Sequence, residues 1–199
     1  MLYHSTLMFS DIKKLHEYDY KTLEWKTKFF GGNEYYLVSK NIRNNDDNDY
    51  LFAILKQYNY HYSVSDAESA NGKWRFINKF KQIKTKNDID VKILLLLENN
   101  NKIPWQGGVR YKNVTNIARY YDDLLEFKNG KKYRKRNNST LGFIPSWSFI
   151  DTDSYEPVIT FNNASVKIDD QSYRPELLLL MILGCQIILI DREIASYGL

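Results

Sequence analysis

The chain has 199 residues, 43% apolar and 15% aromatic, which suffices for one hydrophobic core and is cramped for two; it reads as one domain spanning 1–199. A single cysteine, Cys185, set in an apolar run, excludes an internal disulfide and points to a reducing, cytoplasmic compartment. The net charge of +4 is mild, but Lys128, Lys131, Lys132, Arg134, Lys135 and Arg136 share one short stretch, a bias toward a polyanionic partner.

Residues 2–6, LYHST, predict a short opening strand, and Ser10 before DIKKLHEY predicts an N-cap and a helix. MLYHST lacks the basic-then-apolar order of a secretory signal. Gly31 and Gly32 break the chain ahead of a strand over Tyr35, Tyr36, Leu37 and Val38. After the polar loop NIRNNDDND, apolar spacing predicts a helix from Tyr50 to Tyr58 and a second around Trp74 to Ile83. The unbroken apolar run from Ile89 to Leu97 predicts a strand at the centre of a sheet, covered on both faces.

Pro104, Gly107 and Gly108 punctuate a loop, and Asn113 to Phe127 then predicts a helix carrying Ile117, Tyr120, Tyr121, Leu124 and Leu125 on one face. Lys128 to Asn138 reads as a basic loop, followed by short strands over Pro157–Phe161 and Ser165–Ile168. Pro175 suits the first turn of a helix that runs through LLLLMIL to Gly184 as its C-cap, handing over to a strand from Gln186 to Ile190. The stretch from Leu177 to Ile190 is shorter than the roughly 20 residues of a membrane span. The elements taken together predict a mixed α/β domain.

His4 and Thr6 stand two apart on the opening strand and share a face, where an imidazole and a hydroxyl could hold a ribose. Glu176, at a helix start, is either a residue placed there by the helix dipole or a carboxylate held at a sheet edge. Rival constellations are Asp90 and Lys92, with Asp66 or Glu68 upstream, as in a metal-dependent PD-(D/E)xK nuclease, and the pairs His4–Thr6 and His61–Ser63, as in a two-histidine phosphoesterase. A non-enzymatic binder or inhibitor using the basic surface alone is the reading from another class.

LYHST, VTNIARYYDDL and SYRPELLLL followed by QIILI, in that order, resemble the DarT-type DNA ADP-ribosyltransferases. The resemblance implies an ADP-ribosyltransferase-like split, twisted central β-sheet with flanking helices, and NAD consumed as substrate with no metal. It implies NAD contacts at His4, Ser5 and Thr6, Tyr36 stacking on the nicotinamide, and Arg43 on the phosphates, with Arg110 or Arg174 as substitutes. Glu176, with His4, is the implied catalytic pair, stabilising an oxocarbenium-like ribose and taking a proton from the acceptor base. Single-stranded DNA or RNA would lie against Lys131, Lys132, Arg134, Lys135, Arg136 and Trp147, with Phe149 and Tyr155 nearby, because phosphates require cations and unstacked bases a flat apolar partner. Such an activity implies a toxin-like or phage-host conflict role and a neutralising antitoxin or immunity partner. The acidic loop NNDDND departs from the family pattern and leaves the acceptor base open.

Overall fold

Side chains that alternate between apolar and polar with a period of two dictate a half-buried strand. The end of Val114–Tyr121 follows that rule: Ala118 and Tyr120 pack into the core while Arg119 between them is exposed. The computed structural model describes residues 10–11, 22–27, 33–39, 50–57, 64–83, 89–99, 114–138, 146–170 and 176–196. These form β1 (Thr22–Thr27), β2 (Glu34–Ser39), β3 (Tyr50–Gln57), β4 (Val64–Ser69), β5 (Gly72–Ile83) and β6 (Ile89–Asn99). There follow β7 (Val114–Tyr121), β8 (Leu124–Phe127), β9 (Lys132–Asn137), β10 (Ser146–Asp151), β11 (Pro157–Asn162), β12 (Ser165–Ile168) and the helix α1 (Leu177–Ser196).

Every strand pairs antiparallel with its neighbours in the chain. The first also pairs with the last, Leu23 opposite Val166, so the sheet closes into a twelve-stranded barrel. Closure leaves no row of unpaired edge groups. Local turn chemistry assists: Asp122 and Asp123, at φ 47° and 57°, make the two-residue β7–β8 connection, and positive φ at both central residues is what a type I′ hairpin requires.

A barrel of about eight strands is filled by its own side chains, and twelve leave a wider lumen. The helix α1 occupies it. From Leu177 to Ile190 its residues are buried on all sides, with Leu179 and Ile188 partly so, as expected of a helix with no solvent face. Gly184 lets α1 lie against β11, since a Cβ there would meet the Phe161 ring inside van der Waals contact. That ring stacks on Trp147 with centroids 4.3 Å apart and meets Phe149 edge-on at 6.0 Å.

Chain direction gives the barrel two distinct ends. Even-numbered strands run toward the entry end, where α1 begins and Asn129, in the β8–β9 turn, donates a 2.8 Å hydrogen bond to Glu176. The helix finishes at the exit end, where Lys135 Nζ bonds Asp191 at 2.8 Å. Beside it the Tyr120 hydroxyl donates to Asp123 at 2.8 Å. Burial, that bond and the surrounding carboxylates hold the Tyr120 proton well above its ordinary range.

This architecture corrects the mixed α/β expectation and, with it, the split sheet flanked by helices. The segments read as helices over Tyr50–Tyr58, Trp74–Ile83 and Asn113–Phe127 are β3, β5 and the β7–β8 hairpin. In β3 a register shift opposite Leu37 and Val38 lets Leu51, Phe52, Ala53 and Leu55 all be buried, so the apolar spacing imitates a helix face. The stretch from Gln186 to Ile190, read as a strand, continues α1, and Gly184 lies inside the helix as a point of close approach. The basic stretch from Lys128 to Asn138 is a hairpin turn and β9. Strands expected over Tyr35–Val38, Ile89–Leu97, Pro157–Phe161 and Ser165–Ile168 are β2, β6, β11 and β12. The opening strand and the helix after Ser10 lie outside the described residues.

Candidate functional site

The outward face of β9 carries every second residue of KYRKRN: Lys132, Arg134 and Arg136 are exposed, while Tyr133 between them is fully buried. Strand geometry spaces these cations at about 6.6 Å. On the flanking strands Arg119 stands opposite Glu126, and Glu126 opposite Lys132. Arg119 donates from Nε to Glu126 at 2.8 Å, and Lys132 Nζ lies 3.1 Å from the other carboxylate oxygen. Those two cations, Arg119 foremost, hold the Glu126 carboxyl below its ordinary range. Arg119 also lies 5.3 Å from the Tyr121 ring centroid.

Arg134 faces Leu124 on one side and Ile150 on the other, and Arg136 faces Ser148. Neither guanidinium has an ionic partner among the described residues. Arg119, Lys132, Arg134 and Arg136, set against Glu126, therefore form a continuous basic face over β7–β9.

At the entry end this face meets an exposed aromatic. Tyr155, in the β10–β11 turn, is 78% exposed and has φ 61°, a conformation that bulky side chains rarely adopt. Its turn is tied to the β8–β9 turn by Lys131 Nζ, 3.5 Å from Asp153, and by the Thr152 amide donating to the Lys132 carbonyl at 3.1 Å. Lys128 and Lys131 are exposed in the same β8–β9 turn.

The expected nucleic-acid residues thus divide. Lys131, Lys132, Arg134 and Arg136 are exposed, whereas Lys135 points inward, bonds Asp191 and lies 5.2 Å over the Trp147 ring. Trp147 and Phe149 are core residues, 5% and 0% exposed, so a base-stacking role for Trp147 is corrected: alternation along β10 turns both rings into the barrel. Tyr155 alone of the three aromatics is open to solvent. A helical period over Asn113 to Phe127 hides Arg119, Tyr121 and Glu126 as surface residues, which the strand period sets on the outer face.

Of the residues expected to serve NAD, His4, Ser5, Thr6 and Arg43 lie outside the described residues, as do Arg110, Arg174 and His61. Tyr36 sits on β2, half-buried, and its hydroxyl donates to Glu34 at 2.6 Å. Burial and that carboxylate raise the Tyr36 hydroxyl from 10.0 to about 12. Glu176 is 9% exposed at the foot of α1, bonded by Asn129.

Of the nuclease constellation, Asp90 and Lys92 lie on β6 with side chains outside the described residues, and the two upstream acids are each paired with a cation. Asp66 is engaged by Arg75 through bonds of 2.6 and 2.7 Å, and Glu68 pairs with Lys73 at 2.8 Å. Among the described residues no group of three or more His, Cys, Asp or Glu is placed to hold a metal ion. Nor is any helix among them long and apolar enough to cross a membrane. No protein-family model, no curated protein and no solved structure matches the chain.

Proposed function

We propose that this barrel is a non-enzymatic binding module for single-stranded nucleic acid, with the outer face of β7–β9 as the phosphate track and Tyr155 as a base-stacking platform. The observation that carries the reading is the row Lys132, Arg134 and Arg136 along one exposed strand, with two guanidinium groups free of ionic partners among the described residues. Cations at every second strand residue are commensurate with successive phosphates of an extended chain, and each neutralised phosphate releases counterions. One flat, exposed side chain beside the row supplies what an unstacked base seeks. An anionic membrane surface fits less well, because Tyr155 is the one large apolar side chain exposed among the described residues and insertion needs several.

The test is fluorescence anisotropy with a labelled single-stranded oligonucleotide, comparing the protein with Arg134→Glu/Arg136→Glu. Binding in the first and a loss of more than tenfold in the second supports the proposal. Equal binding by both would dismiss β9 as the track.

Glu176 favours a second reading, transfer of ADP-ribose from NAD to the bound base, by standing at the same barrel end as Tyr155 and Lys131. That reading predicts label transfer from NAD to the oligonucleotide and its loss in Glu176→Gln. Label that persists in that variant, or no transfer at all, counts against it.

A further inference from the structure

The lumen holds polar side chains without hydrogen-bond partners among the described residues. Gln186 sits on α1 at 0% exposure, and neither its Oε1 nor its Nε2 has a partner. Gln57 Nε2 on β3 and Ser65 Oγ on β4 are likewise buried and unpartnered, at 5% and 0% exposure. Leaving a buried donor or acceptor unmade costs about 1–3 kcal/mol each. A core built of Leu, Ile, Phe and Trp gives no packing reason for two amides and a hydroxyl.

Geometry brings the three together. Gln57 and Ser65 are a direct cross-strand pair, placed where β3 ends and β4 begins, at the exit end. Both face inward, in step with Leu55 and Ala67 two residues away. On the helix, Gly184 marks the side that touches β11. Residues of an α-helix are about 100° apart, so Gln186 points about 200° from Gly184, across the lumen. Five strands lie between β11 and β5 on either side of the ring of twelve, so β5 is opposite β11, with β4 next to it and β3 one strand further. Gln186 is also in the exit half of the buried stretch of α1, Leu177–Ile190. Its amide therefore faces the wall that carries Ser65 and Gln57.

We infer that the exit half of the lumen, between α1 and the β3–β4 wall, is a binding site for one small uncharged molecule that both donates and accepts hydrogen bonds. The unpartnered set offers two amide N–H donors, one carbonyl acceptor and a hydroxyl of either sense. None of the three side chains is ionisable, and an ion buried without countercharge is strongly disfavoured, so the occupant is neutral. A long-lived water and a small organic molecule carrying a hydroxyl or amide share this chemistry.

The experiment uses the full-length protein and separates the two sources. A mass excess under native electrospray that disappears on denaturation identifies an organic occupant. No excess, together with nuclear Overhauser cross-peaks between long-lived water and the Gln186 side-chain NH₂, identifies water. Either signal supports the site, and each is expected to be lost in Gln186→Leu. Absence of both in the wild-type protein, or their persistence in Gln186→Leu, would overturn it. Neither result bears on the outer basic face, so this inference and the proposed function stand or fall separately.

Discussion

Tyr155 holds a bulky side chain in left-handed backbone, at φ 61°, while its ring stands 78% exposed. A residue kept at a cost of about 1–3 kcal/mol with no burial in return is the pattern of a contact residue. Tyr155→Gly separates the two aspects: it removes the strain, so urea unfolding should show stability unchanged or raised. Oligonucleotide affinity should fall by about 1–3 kcal/mol, the worth of one stacked base. Gly184 is the opposite case. Alanine normally gains about 1 kcal/mol over glycine within a helix, but here its methyl would displace a Phe161 ring locked against Trp147 and Phe149. Overpacking costs about 1–3 kcal/mol, so Gly184→Ala should lower stability in urea melts. Tyr36 yields a pH signature. Its proton is held to about 12 in the fold against an ordinary 10.0. The associated stability is fully present below pH 10 and is lost as pH rises toward 12. Tyrosinate absorbance should lose one late-titrating group in Tyr36→Phe, while the raised Tyr120 still titrates late.

Among the elements, β9 and its neighbours decide the surface chemistry. Glu126 is the one acid on the basic face, bound to both Arg119 and Lys132. Glu126→Gln releases two cations, and since an exposed ion pair is worth about 0.2–1 kcal/mol, affinity for single-stranded oligonucleotides should rise about two- to fivefold in anisotropy titrations. How legible these elements were depended on how cleanly a period declared itself. Ser165–Ile168 is short, bounded by turns and alternates inward Val166 and Ile168 with polar partners, and Pro157–Asn162, where Val158 is buried beside Ile159, is a short β-branched and aromatic run between turns, so both are readable as strands. Trp74, Phe76 and Ile77 in β5, and Leu51 to Leu55 in β3, are apolar at mixed spacings, because a register shift or burial on both faces erases alternation. Local pattern alone then favours a helix. The basic cluster was visible at once, but which of its members face outward followed only from the strand period, which sends Lys135 inward to Asp191.

At the scale of the whole molecule, the last segment explains the rest. A run of fourteen residues from Leu177 to Ile190 without a single charged side chain has no place on a two-layer surface. It needs to be surrounded, and twelve strands closed around it do so. Nothing in β1 announces that it will pair with β12, since that contact joins residues far apart in the chain, so closure could not be read from local pattern. A rigid barrel with an internal helix makes its outer wall a fixed platform, and a strand-borne row of cations is held in register without help from a ligand. The measurement that tests this most directly is the salt dependence of oligonucleotide binding. For a single strand, log K falls with log salt at a slope of about −0.7 per phosphate neutralised. Four cations on β7–β9 predict a slope of about −2 to −3, reduced by about 1.4 in Arg134→Glu/Arg136→Glu. A slope near zero, or one that the double substitution leaves unchanged, would contradict the account.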